Sequence, residues 1–213
     1  QGLTLLSAVV AFVLAFVLKP AKALLVYCAV LFAYPELLTV PLGTVDFNAP
    51  RITILGLMAN LVFRSSAWRG LKWNWLDTFV VAAYFLPVLA ALKNAPASLV
   101  FERQFGGQML DILFPYFAAR MALRSRPEVL LFFKGLVYIG SPLAVFAMIE
   151  AKTGFNVYSI FYAFYGWGFS DMSLLSDMRL GMYRARGSFG VPILLGLFFS
   201  ATATMAVGLW REK

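Results

Sequence analysis

The sequence contains no histidine. Histidine is the usual general base near neutral pH and the commonest ligand for transition metals. Its absence leaves acid–base work to carboxylates, lysine or tyrosine, and the residues imply neither a metal nor another cofactor. There is one cysteine, Cys28, set inside an apolar run, so no internal disulfide can form. The spacings CxxC, HExxH, GxxxxGK[ST] and GxSxG do not occur, which removes the common signatures of zinc sites, metalloproteases, nucleotide-binding loops and serine hydrolases. Charge is also scarce. Only 13% of residues are charged, and 18 basic side chains outnumber 10 acidic ones, giving a net charge of +8.

What fills the chain instead is apolar. Of its 213 residues, 62% are hydrophobic and 16% aromatic, with a mean hydropathy of +0.81. A soluble domain is nearer half apolar and a quarter charged. These values describe an all-α integral membrane protein, because helices satisfy their own backbone hydrogen bonds in lipid. Seven apolar segments can be drawn, at about 3–18, 23–40, 52–63, 77–92, 109–123, 129–149 and 191–210. Each is read as a transmembrane helix, with the third short and the fifth interrupted by Pro115. Lys19 and Lys22, then Arg64, Arg69 and Lys72, then Arg120, Arg124 and Arg126, and finally Arg211 and Lys213 all fall on one side of this topology. The positive-inside rule makes that side cytoplasmic. The basic charge therefore points to topology and membrane lipid, not to nucleic acid.

The connections 41–51, 93–108 and 150–190 then face outward. Residues 1–213 read as one membrane domain. The first residue is Gln, and the sequence reads as a piece of a longer chain. In the loop 150–190, the dense Phe, Tyr and Trp residues of 155–169 predict a short interfacial helix, with a re-entrant or spanning segment as the alternative.

The same loop carries Arg179, Arg184 and Arg186 on the side where topology asks for no positive charge. Arginine presents a planar fork suited to phosphate. Gly187 and Gly190 let backbone approach a ligand, Pro192 suits the first turn of the next helix, and that helix start favours anions. Arg184 and Arg186 are thus candidate binding residues for a phosphate or pyrophosphate on a lipid. The alternative is that these arginines pair with Asp171, Asp177 and lipid headgroups. Glu150, the carboxylate at a predicted outer helix end, could act as a base or orient a neighbour, or could simply pair with Lys152 or cap the loop. Asp111 reads as a helix-dipole partner.

"RARGSFGVPILLG" resembles the R-x-x-G-x-F-x-x-P segment of the O-antigen ligase and polymerase family. "IEAKTGFNVYSIF" resembles the E-x-x-T-G-x-N stretch that precedes it, and "VPLGTVDFNAPR" is similar to a loop of that family followed by an arginine. The resemblance implies a GT-C-like membrane glycosyltransferase of the bacterial inner membrane. It would take a glycan from an undecaprenyl-pyrophosphate donor at the periplasmic face. Arg184 matches the motif arginine facing that pyrophosphate, Arg186 matches it weakly, and Glu150 and Gly187 are supporting positions. The family carries further arginine and a catalytic histidine in a later loop. With no histidine here, the resemblance covers the donor half of a site and leaves the catalytic residues unassigned. The contrasting expectation is a non-catalytic membrane subunit that packs against partner proteins.

Overall fold

The computed structural model describes residues 2–35, 38–42, 45–64, 71–97, 100, 106–163, 178–179 and 181–212. Helices dominate. Helix α1 (Gly2–Val17) is followed by α2 (Pro20–Ala33), whose first turn accepts Pro20 because no helical partner for its missing N–H is needed there. Tyr34, extended before Pro35, ends α2. The apolar run expected to stay helical to residue 40 instead leaves the helix at this point. It continues into a hairpin of β1 (Thr39–Leu42) and β2 (Val45–Asn48), with Thr39 opposite Asn48 and Leu42 opposite Val45. Asn48 then caps α3 (Ala49–Phe63) by accepting a hydrogen bond from the Arg51 amide at 3.0 Å.

Helix α4 (Trp75–Leu92) begins with a reciprocal capping box between Asn74 and Asp77. A π-helical turn (Met109–Leu113) runs directly into α5 (Phe114–Ala122). Pro115, expected to interrupt this segment, occupies the first turn of α5, where it does no harm. Helix α6 (Arg126–Thr153) starts with a Ser125–Glu128 capping box and stops at Gly154, left-handed at φ 72°. A five-residue helix, α7 (Ser159–Ala163), and a two-residue ladder of β3 (Met178–Arg179) and β4 (Met182–Tyr183) lead to α8 (Pro192–Arg211). Within the stretch 155–169 the structure gives α7; residues 164–169 lie outside the described residues, as do Arg69, Asp171 and Asp177.

Helices α4, α6 and α8 are long and apolar enough to cross a membrane. Helices α1, α2 and α3 are apolar but shorter, at 14 to 16 residues, roughly 21–24 Å at 1.5 Å per residue. Broad apolar faces stay exposed, including Leu6, Phe79, Leu86, Ile193 and Leu197. That is the expected exterior of a protein solvated by lipid.

Packing fixes the direction of each helix. Helices α1 and α3 run parallel and very close: a Cβ on Gly56 would stand 2.6 Å from the Phe12 carbonyl oxygen. Asn60 donates to the carbonyls of Ala15 and Leu18, both at 2.7 Å, and Arg64 donates to Val17, so α3 covers carbonyls that α1 leaves open at its end. Helix α2 returns from there and meets α6 where Gly135 lies under Leu25. Helices α6 and α8 run antiparallel, with Arg126 and Glu212 paired at one end (2.6 Å) and Glu150 beside Gly187 at the other. The central core gathers Ala15, Leu24, Ile54, Leu57, Leu61 and Met121. The end that carries Lys19, Arg64 and Arg126 is therefore opposite the end that carries Glu150 and Gly187, the separation that the basic residues imply.

Candidate functional site

The outer end of α6 builds the site. Glu150 is buried at 2% exposure, one turn before the helix stops. The Gly154 amide closes that last turn onto the Glu150 carbonyl at 2.8 Å, and the left-handed glycine sends the chain back across it. A side chain at Gly154 would also strike the ring of Tyr183, whose nearest carbon would be 3.1 Å from the added Cβ. Asn156 follows. Its side-chain oxygen accepts from the Tyr158 amide (2.8 Å), and its Nδ2 donates to Glu150 Oε1 (3.0 Å) and to the Gly187 carbonyl (3.0 Å). The Gly187 amide donates to Glu150 Oε2 at 2.8 Å. Both polar groups of one peptide residue, 37 positions away from the carboxylate in sequence, are thus held from the α6 end.

Gly187 needs to be glycine, because its φ of 59° is left-handed. The next residue continues the anchoring: Ser188 donates from Oγ to the carbonyl of Phe32 in the last turn of α2. Burial, with a smaller contribution from the Glu150 carboxylate, pushes the Tyr158 phenol above its ordinary pKa. Phe189 packs against Phe32 and Phe198 at ring separations of 6.0 and 5.8 Å. Tyr158 and Phe161 belong to this same packed group with Leu143 and Phe198. Of the described aromatics that the sequence suggested for a membrane interface, Tyr158 and Phe161 pack around the loop, whereas Phe155 is 50% exposed.

Arg184 and Arg186 lie between β4 and this clamp, both half-buried. Arg184 is partnered within the fold. Arg186 makes no ion pair among the described residues, and its carbonyl accepts from the Phe189 amide at 3.1 Å in the turn that presents Gly187. The side chain of Arg179 lies outside the described residues.

A cavity of about 620 Å³ adjoins the clamp and receives Ser188 and Phe189, but neither Arg184 nor Arg186. Its walls come from α2, α6 and α8, and its polar end is formed by Asn48, Arg51 and Asp111. Arg51 and Asp111 face each other as a two-point fork, Nε to Oδ1 at 3.0 Å and Nη2 to Oδ2 at 2.6 Å. Asp111 lies in the first turn of its helix, as the dipole reading expects, and is also the ion partner of a residue 60 positions away. Sequence reasoning passed over this pair. The available signal was that both charges sit at outer helix ends bordering apolar runs. Among the described residues, no cluster of three or more acidic, cysteine or histidine side chains could hold a metal ion.

Compared with family models, with curated proteins and with solved structures, the chain finds no match in any of the three.

Proposed function

We propose that the protein is a membrane glycosyltransferase of the O-antigen ligase or polymerase type, and that the loop held by Glu150 and Asn156 receives the pyrophosphate of an undecaprenyl-linked glycan donor. The observation that carries this reading is the joining of two short motifs in one hydrogen-bond network. Glu150 and Asn156 belong to the E-x-x-T-G-x-N stretch, Gly187 belongs to the R-x-x-G-x-F-x-x-P segment, and the first two hold the third by both its amide and its carbonyl. A loop fixed this way presents Arg184 and Arg186 in a set conformation at the outer end of the bundle. The donor chemistry needs that arrangement. In the transfer, the bond between the sugar's anomeric carbon and the pyrophosphate oxygen breaks. A new bond forms to the acceptor hydroxyl, whose proton passes to a base. The departing pyrophosphate gains charge, and preorganised guanidinium groups stabilise it most where charge develops. Glu150, with both oxygens engaged by N–H donors, is assigned to holding the loop and not to proton abstraction.

The test is glycan transfer by the full-length protein. Arg184→Lys keeps charge and loses the planar fork; removing one charge-assisted contact of this kind is worth roughly 1.5–3 kcal/mol, or about 10- to 150-fold in rate. Arg186→Lys is expected to cost less. Wild-type transfer by Arg184→Lys and Arg184→Ala, at normal expression, removes the pyrophosphate role and leaves the non-catalytic membrane subunit as the better account.

A further inference from the structure

We infer that the cavity beside the clamp is a binding site for an amphiphile with a phosphate head, and that Asp111 is the counter-ion which that phosphate displaces from Arg51. The site contains neither Arg184 nor Arg186, so the inference stands or falls apart from glycan transfer.

The walls argue for the tail. Leu31, Leu136, Leu197 and Phe198 line a space of about 620 Å³, well inside the range of small-molecule sites, which are mostly apolar with a few placed polar groups. The charged pair argues for the head. A guanidinium that meets two carboxylate oxygens in parallel has the geometry that also meets two phosphate oxygens. The two partners are not equally held. Arg51 is 22% exposed and its backbone amide is fixed by the Asn48 cap, whereas the Asp111 side chain is 48% exposed. The acid can therefore turn toward water while the arginine stays.

The backbone around the pair fits the same use. Asp111 rides on the π-helical turn Met109–Leu113, a wider winding that occurs mostly as short insertions at functional positions. Gly107 lies close against the guanidinium: a Cβ there would come within 3.3 Å of Arg51 Nη2. Arg51 itself lies in the first turn of α3, where the helix end also favours an anion. A phosphate arriving here exchanges one anionic partner for another and brings an apolar tail that the walls can cover. A molecule with the same tail and no charge cannot release Asp111.

The phosphate could belong to a prenyl carrier or to a phospholipid headgroup, and the two are separable. The experiment is equilibrium binding to the full-length protein in neutral detergent, with geranylgeranyl phosphate, phosphatidylglycerol and geranylgeraniol as separate probes. Both phosphate probes are expected to bind more tightly than the alcohol. A stronger response to the prenyl phosphate identifies a carrier site, and a stronger response to phosphatidylglycerol identifies a headgroup site. The two charge variants should move in opposite directions. Arg51→Gln should weaken phosphate binding by about 10- to 150-fold, while Asp111→Asn should tighten it several-fold, and the alcohol should bind the same to both. If the pair only braces the fold, both variants weaken all three probes alike and the inference is overturned. It is equally overturned if Asp111→Asn leaves phosphate binding unchanged. Should Asp111→Asn not fold, Arg51→Lys decides: selective loss of the phosphate probes supports the site, and wild-type binding of them refutes it.

Discussion

Two carboxylates are buried among the described residues, one toward each end, and they are satisfied in different ways. Asp77, at 0% exposure, is met by a cation: Arg120 and the Tyr116 hydroxyl both donate to Oδ1, while the Asn74 amide donates to Oδ2 at 2.7 Å. Arg120 also reaches the Lys72 carbonyl at 3.2 Å, so one arginine ties the start of α4 to α5. Glu150, at 2% exposure, is met by neutral donors, the Gly187 amide and the Asn156 carboxamide. The inner group is a charge pair between helices. The outer group is a clamp on a loop in which two arginines lie close by in sequence and are not used to neutralise it. A buried carboxylate can be stabilised by a cation or by several N–H donors, and Glu150 uses the second solution.

The comparison breaks most readily at the inner site. Asp77→Ala leaves Arg120, whose side chain is 24% exposed, without its anion and also removes the acceptor of the Asn74 amide. The melting temperature in detergent should fall sharply, and the double variant Asp77→Leu with Arg120→Leu should recover much of it. A small effect of the single variant would mean that the charge pair contributes little. The outer site is expected to respond less in stability and more in loop order. Glu150→Ala strips acceptors from two buried donors, roughly 1–3 kcal/mol for each donor left unsatisfied. Protease cleavage within 181–190 should rise well before global unfolding. If instead cleavage and melting change together, the clamp is part of the core and the contrast is lost. The smallest effect belongs to Tyr158→Phe, which removes a buried hydroxyl and keeps the packed ring. Its pH dependence has a definite sign. The phenol's pKa is raised in the folded state, so its contribution is complete below the ordinary value of 10.0 and is lost as pH climbs through the higher folded value. Tyr158→Phe should reduce, relative to wild type, the loss of stability seen above about pH 10.

Much of this arrangement follows from local sequence. The apolar runs mark the helices, Pro20, Pro115 and Pro192 sit in first turns, and Asn74, Ser125 and Asn48 mark starts. The basic residues assign ends to the bundle. Helix lengths were less legible, because an apolar run does not say whether it continues as helix or turns into strand, as residues 34–42 show. The candidate site was legible as two motifs but not as a contact. Glu150 and Gly187 are 37 positions apart, and no helical or strand period connects them. Asp77, which begins a helix, looks in sequence like an ordinary cap; only the fold brings Arg120 onto it. The first-turn position of Asp111 was legible, but its ion partner was not, since Arg51 comes from a helix 60 positions earlier.

The close contact at Gly56 has a consequence for how the helices come together. Helices α1 and α3 are parallel neighbours, so α2 must cross back before the pair can form. Thr4, Ala8, Ala11 and Ala15 are buried small residues on one face of α1, and the carbonyl of Ala15 waits for Asn60. That face has no complete partner until α3 (Ala49–Phe63) has formed and packed against it. The Cα of Gly56 against the Phe12 carbonyl is the contact that completes this packing. A larger residue at position 56 is therefore expected to keep α3 from closing onto α1.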